Sequence, residues 1–369
     1  MAPLSKRKCV MIVAGEASGD LHGSKLVKAM RERDETLIFC GIGGQALKDA
    51  GVTIVVDASK LSVVGITEVF SKIPSLFKGM SIIKKRLQTM HPDLLILIDF
   101  PEFNLHVASA AKKLNIPVLY YISPQIWAWR PGRVKKIGKR IDHVAVILPF
   151  EAAYYKKYNI PATFVGHPLL DTDVTPQGAA LKRPSADVPV VGLLPGSRDR
   201  EIMRHLPVML DAAGLLVSLA PSVEKQFVEQ IVRQHHQAPL VELKAGSVKK
   251  IFENSHLVVA SSGTVTLESA IFGTPMVIIY KVSPFTYLLG RMLVKVRHIG
   301  LVNLIAEREI VPELIQHAAS PSRIADTVSG MLNDASGLEK IKQELLGTVD
   351  TLGGPGATQR VTDIAMDML

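Results

Sequence analysis

The sequence predicts an α/β protein of two doubly wound domains facing a cleft, each a parallel sheet with helices. Three observations predict it. Apolar runs of strand length alternate with helical patterns, the signature of βαβ units. The chain has 369 residues, too many for one ordinary core. The alternation is interrupted once, at LLDTDVTPQGAALKRPSADVP (169–189), where Pro, Ala, Asp and Thr take over before a second alternating set begins.

Taken in order, a first domain over 1–168 carries strands at 8–14 (KCVMIVA), 37–40, 53–56, 93–99 (DLLILID), 117–123 (PVLYYIS), 143–148 and 162–166, with helices between them. Residues 169–188 read as a linker. A second domain over 189–349 has strands at 189–195 (PVVGLLP), 240–245, 256–261 (HLVVAS) and 275–281 (PMVIIYK), then helices. The segment 350–369 is expected as a helix packing back on the first domain. No internal repeat or low-complexity tract interrupts this order.

Composition narrows the class. An apolar fraction of 47% is that of a globular protein, and no run approaches the roughly eighteen residues of a membrane span. Lys6-Arg7-Lys8 before CVMIVAG has the look of a secretory leader, but the run is short and meets Glu16 and Asp20 without a cleavage-like site. It reads as the first strand of a cytoplasmic protein. Cys9 and Cys40 fall in strands without metal-ligand spacing and read as reduced core residues.

A net charge of +9 and a pI near 9.4 point to an acidic partner: nucleic acid, an anionic membrane surface or a phosphorylated substrate. The charge clusters at KGMSIIKKR (78–86), RPGRVKKIGKR (130–140) and RMLVKVRH (291–298), beside apolar residues. Val69, Phe70, Ile73, Leu76, Phe77 and Met80 recur at helical spacing among lysines. Such a stripe either packs on the sheet or lies on a membrane.

Ligands of such sheets bind beyond the carboxyl ends of the strands, so strand-ending residues are the candidates. VAGEASGDLHGSKL (13–26) breaks from a strand into a glycine-rich turn whose spacing is neither the dinucleotide fingerprint nor a Walker loop. Glu16 and Asp20 would repel a pyrophosphate there. Beside the bare backbone of Gly15 and Gly19 they suit a ligand rich in hydroxyls, unless Asp20 merely caps the helix that follows. PDLLILIDFPEFN (92–104) runs a strand into Asp99, which either takes a proton from a hydroxyl or accepts loop N–H bonds.

YYISPQIWAWRPGRVKKI (120–137) brings Trp127 and Trp129 near Arg130 and Arg133, to pack on sugar or lipid or to lock the loop. His167 in FVGHP marks the domain junction. In the second domain, HLVVASSGTVTLESAIFGTPMVIIY (256–280) is a buried strand followed by Ser261-Ser262-Gly263-Thr264 at the start of a helix, a set of donors suited to a diphosphate. Glu268, one turn beyond Thr264, is placed to accept from both hydroxyls of a ribose. Arg198 in LLPGSRDREI (193–202) either neutralises a leaving diphosphate without a metal or pairs with Asp199 or Glu201. Asp171 and Asp173 have Asp-x-Asp spacing but lie in the linker, and His235-His236 has no partners in sequence, so no metal site is expected.

Two facing Rossmann-like domains with the nucleotide motif in the second describe the GT-B glycosyltransferases. GEASGDLHG, GIGG, DFPEFN, ISPQIWAWR, VGHPL, LLPGSR, SSGTVTLE and NLIAER, in order from residue 15 to 308, closely resemble one family among them, lipid-A-disaccharide synthase. The resemblance implies transfer of 2,3-diacylglucosamine from its UDP derivative to the 6-hydroxyl of 2,3-diacylglucosamine 1-phosphate, with inversion, release of UDP and no cofactor. It implies Asp99 as base with Glu16 as rival, and Gly15, Ser18 and Asp20 along the sugar side. Ser262, Gly263, Thr264 and Glu268 would hold UDP, with Arg198 and Asn303 near the diphosphate.

The partners it implies are UDP-diacylglucosamine, diacylglucosamine 1-phosphate and the anionic inner-membrane surface, met peripherally from the cytoplasm, with a homodimer among the expected states. The alternative is a UDP-sugar 2-epimerase of the same fold. A nucleic-acid role rests on charge alone, without a recognised module. One stretch departs from the family: after a helix near 219, PSVEKQFVEQIVRQHHQAP (221–239) is polar where a clear strand and helix are usual, so its fold stays open.

Overall fold

The structure, a computed structural model, describes residues 7–60, 66–129, 131–171, 189–212, 216–219, 230–232, 234, 243–245, 248–294 and 296–369. The chain forms two compact units, Met1–Asp171 with Leu352–Leu369, and Thr172–Thr351. Most of the linker, Arg130, His235 and His236, and most of 221–239 lie outside the described residues, as do the side chains of Val69, Phe70, Ile73 and Trp129.

Unit 1 is built on β1 (Cys9–Ala14), β2 (Ile38–Gly43), β3 (Thr53–Asp57), β4 (Leu94–Ile98), β5 (Val118–Tyr121), β6 (His143–Val146) and β7 (Ala162–Phe164). They form one parallel sheet in the order β3-β2-β1-β4-β5-β6-β7. Strands in such a sheet are apolar at successive positions because both faces are covered. In β1, Met11 and Val13 enter one core while Val10, Ile12 and Ala14 enter the other. In β4, Leu95 and Leu97 divide from Leu94, Ile96 and Ile98 in the same way. The helix after β1, Ala17–Arg33, adds Leu26, Val27 and Met30 to the second core. The helix after β4, Pro101–Lys113, adds Phe103, Leu105 and Val107 to the first.

Unit 2 carries β8 (Val191–Leu194), β9 (Leu216–Leu219), β10 (Leu243–Ala245), β11 (Leu257–Ser261), β12 (Met276–Tyr280) and β13 (Glu313–Ile315), ordered β10-β9-β8-β11-β12-β13. The helix after β8, Asp199–Ala212, packs Ile202, Leu206 and Met209 on one face of this sheet. The helix after β11, Val265–Ile271, puts Ala270 on the other. Near 219 the expected helix is instead the strand β9, and β13 was not anticipated, because three residues among helices leave too short a pattern to read.

Both sheets therefore reverse direction of winding at one place, between β1 and β4 and between β8 and β11. At such a reversal the two outgoing loops leave for opposite faces, and this is where doubly wound sheets bind ligands, at the carboxyl ends of the strands. The final helix, Ala357–Met368, belongs to unit 1. Asp171 accepts from the N–H groups of Gly356, Ala357 and Thr358 at its start (2.7, 3.1 and 2.7 Å), and Arg360 donates to the Val165 carbonyl (2.7 Å). Asp171 is thus a helix clasp.

Candidate functional site

At the switch point of unit 1, β4 ends and the chain passes through Asp99 (φ 46°) and Phe100 (φ 49°), both left-handed. Aspartate tolerates this region, whereas for phenylalanine it costs on the order of 1–3 kcal/mol, a strain that surrounding contacts must hold in place. They do so here. The Asp99 carbonyl accepts from the Tyr120 hydroxyl (2.8 Å) and from Asn104 Nδ2 (2.7 Å), which also reaches the Ile98 carbonyl (3.1 Å). Pro101 then opens the next helix. The Phe100 ring stacks on Phe103 at 5.1 Å between centroids and covers Gly15, where a Cβ would lie 2.3 Å from the ring. The elbow holds the Asp99 side chain, half-buried, at the strand end.

This contact corrects one expectation. Gly15 leaves room for Phe100 rather than for a ligand, and it is buried. Asp20 is corrected too. Its carboxylate, 7% exposed, accepts from the N–H groups of Gly44 (2.6 Å), Ala46 (2.9 Å) and Leu47 (3.3 Å). It caps a different helix from its own, Gln45–Asp49, and explains the GIGG stretch, whose last glycine lies against it. Of the opening turn, Glu16 and Ser18 remain exposed, at the start of Ala17–Arg33.

Trp127 lies half-buried in the short helix Ile126–Trp129 after β5, with its indole N–H donating to Glu151 (2.9 Å) and its ring edge-on to Phe150 at 4.8 Å. Glu151 is almost fully buried and also accepts from the Leu148 N–H (3.0 Å). Burial pushes its carboxyl up to about 7, against the opposing pull of these hydrogen bonds. Sequence reasoning missed Glu151. The available signal was a proline and a glutamate opening the helix Pro149–Lys156, an N-terminal pattern that gives no hint of the tryptophan. His167 is buried and accepts from the Leu169 N–H (3.3 Å), and burial lowers both it and His22 to about 4. Both are neutral residues inside unit 1.

At the switch point of unit 2, Gly196 (φ 124°) turns the chain after β8, and Glu201 fills the place a Cβ would occupy there. Arg198 is largely exposed and pairs with Glu201 at 3.6 Å, leaving its guanidinium open to an anion. After β11, the Ser262 hydroxyl donates to the Ile299 carbonyl (2.7 Å), Gly263 faces open space and Thr264 is exposed. Glu268 follows one turn into the helix. Burial raises its carboxyl, and among the described residues no hydrogen bond is seen to hold it.

Asn303 is not placed for the role expected of it. It is fully buried, with Nδ2 donating to the Val311 carbonyl (2.8 Å) and Glu313 (2.9 Å) and Oδ1 accepting from the N–H groups of Ile310 (2.8 Å) and Val311 (3.1 Å). All four hydrogen-bonding positions are occupied, so the side chain holds its loop and has none left for a diphosphate. Two further residues shape this edge and escaped sequence reasoning. His205, on a helix face where it reads as ordinary, donates from Nδ1 to the Pro195 carbonyl and accepts at Nε2 from the Lys281 N–H (3.0 Å each), joining the loops after β8 and β12. Glu313 accepts from the N–H groups of Ile299 (2.9 Å) and Gly300 (3.0 Å). Among the described residues no group of three acidic, histidine or cysteine side chains is arranged to hold a metal.

A family model described as lipid-A-disaccharide synthetase matches residues 10–364. The lipid-A-disaccharide synthase of Syntrophus aciditrophicus is 45% identical, over 98% of each chain. Among solved structures, MurG of Acinetobacter baumannii superposes with a TM-score of 0.61 at 16% identity, covering 98% of this chain and 99% of that one. A putative UDP-N-acetylglucosamine 2-epimerase from Listeria monocytogenes gives 0.64 at 12%, covering 96% and 95%. At such identities the last two show the fold alone, the α/β architecture of the GT-B class.

Proposed function

The chain belongs to the lipid-A-disaccharide synthase family, and from that premise we infer the chemistry of its two strand-end loops. It is a glycosyltransferase that moves 2,3-diacylglucosamine from its UDP derivative to the 6-hydroxyl of 2,3-diacylglucosamine 1-phosphate. Asp99 takes the hydroxyl proton as the oxygen attacks the anomeric carbon from the face opposite UDP. The bond from that carbon to the phosphate oxygen breaks, its electron pair leaves with UDP, and a single displacement inverts the centre. Glu16 and Ser18 accept and donate hydrogen bonds to the acceptor sugar, and Trp127 offers it an aromatic face.

Gly263 and Thr264 receive the diphosphate, on a loop that Ser262 holds through its bonds to Ile279 and Ile299, Glu268 receives the ribose hydroxyls, and Arg198 the charge that develops on the leaving group. The observation that carries this reading is the strained elbow at Asp99. Asp99 tolerates its left-handed backbone, Phe100 beside it carries the strain, and the buried hydrogen bonds to the Asp99 carbonyl fix its carboxyl-bearing residue at the strand end.

The lipid substrates bring the protein to an anionic bilayer as a peripheral partner. Supporting this, Phe77 is 72% exposed beside exposed Lys78 on the helix Ile66–Met90. No helix among the described residues is long and apolar enough to cross a membrane.

The test is UDP release from UDP-diacylglucosamine with and without diacylglucosamine 1-phosphate, in detergent and chelator. Release that needs the acceptor and ignores the chelator is the expected result. Conversion of the UDP-sugar without acceptor would indicate epimerisation, and absence of any turnover by folded protein would remove the transferase reading.

A further inference from the structure

Between β12 and the helix Leu301–Ile305, residues 281–294 leave the carboxyl end of the unit 2 sheet and residues 296–300 return to it. The departure is tied down by the Lys281 N–H on His205 and by the Val282 N–H on Gln316 Oε1 (2.8 Å). The return is tied by Glu313, which accepts from Ile299 and Gly300, and by the Ser262 hydroxyl on the Ile299 carbonyl. Between these anchors runs the helix Pro284–Leu293, capped by the Ser283 hydroxyl, which accepts from the Thr286 N–H (3.2 Å).

This strap exposes what a core would bury. Leu288 is 63% and Met292 76% exposed, one helical turn apart, and Val294 just beyond is 40% exposed. Arg291 beside them and Arg297 further on are exposed as well. Paired large apolar side chains on one helix face, flanked by cations, match an element that lies in a lipid interface rather than crossing it. Ten residues are about half the length a membrane span requires. The cations favour an anionic surface.

We infer that the helix Pro284–Leu293 is a lipid-contacting element of unit 2, with Leu288 and Met292 among the acyl chains of an anionic bilayer and Arg291 and Arg297 at its phosphate headgroups. The inference rests on the peripheral membrane reading above and deepens it. Because the strap is hydrogen-bonded to Ser262, the same contact holds the diphosphate loop next to the bilayer. A UDP-linked lipid then reaches Ser262–Thr264 with its acyl chains still in the membrane, and is not extracted into water.

The experiment is sedimentation of the full chain with phosphatidylethanolamine vesicles with and without phosphatidylglycerol, comparing wild type, Leu288→Gln/Met292→Gln and Arg291→Glu. Removing two apolar contacts should weaken partitioning onto the anionic vesicles about tenfold or more. Arg291→Glu should weaken it in a salt-dependent way. Unchanged UDP affinity and melting temperature establish that the variants are folded. Equal binding by wild type and the double variant overturns the inference and leaves the membrane reading standing. Failure of wild type to bind at all overturns both. A fall in molar mass by light scattering for the double variant, with vesicle binding unchanged, would assign the face to contact between copies of the chain and also overturn the inference.

Discussion

Asp99 illustrates how much of a residue's chemistry is set by backbone. Asparagine occupies the left-handed region as readily as aspartate, so Asp99→Asn keeps the elbow and removes the carboxylate that would accept the proton. The expected result is a loss of about a hundredfold or more in turnover with UDP affinity unchanged, read by initial rates and calorimetry. Wild-type turnover would transfer the role of base to Glu16. Glu268 gives the complementary case. Burial raises its carboxyl, so its charged form is a cost to the folded protein that a ligand would offset. Glu268→Ala is expected to melt no lower than wild type while UDP binds roughly thirtyfold more weakly, the loss of about 2 kcal/mol in hydrogen bonds to a charged group. An unchanged UDP affinity would overturn the ribose assignment.

Among the elements, the helix Ala17–Arg33 depends on a clasp that its own sequence does not reveal. Asp20 looks like a ligand-facing acid or a local cap, because either reading needs only its neighbours. The structure turns it toward the first turn of Gln45–Asp49, where it satisfies three N–H groups and binds the helix that carries Glu16 and Ser18 to the loop after β2. Asp20→Ala leaves those donors, buried at Leu47 and half-buried at Gly44 and Ala46, without a protein partner. It is expected to lower stability by about 2–4 kcal/mol in denaturant titration. Asp20→Asn, which keeps one acceptor, should fall between. A neutral effect of Asp20→Ala would return the residue to the ligand side. Asn303 and Glu313 form a second clasp of this kind, at the end of the strap in unit 2.

For the whole molecule, buried titratable groups in unit 1 set opposing pH dependences. His22 and His167, lowered from 6.5 to about 4 by burial, bind fewer protons when folded. Their contribution is complete above 6.5 and is lost as pH falls toward 4. Glu151, raised from 4.5 to about 7, binds more protons when folded, so its contribution is complete below 4.5 and is lost as pH rises through 7. Each contribution is about 3 kcal/mol at most. Acidification from pH 7 to 4.5 should therefore destabilise Glu151→Gln more steeply than wild type and His167→Asn less steeply, as read by melting temperature against pH. Parallel curves for all three would show that these groups are not perturbed.

The α/β class, the strand-ending motifs and the family were legible in the sequence itself, because apolar alternation and residue identity are properties of neighbouring positions. The role of each acid and amide was not. Asp20 meets Gly44, Glu151 meets Trp127, Asp171 meets Gly356 and Asn303 meets Glu313, and each partner is brought there by sheet order and helix packing. Whether a polar side chain faces a ligand or holds the fold depends on burial and on those distant partners, so only the tertiary structure decided it.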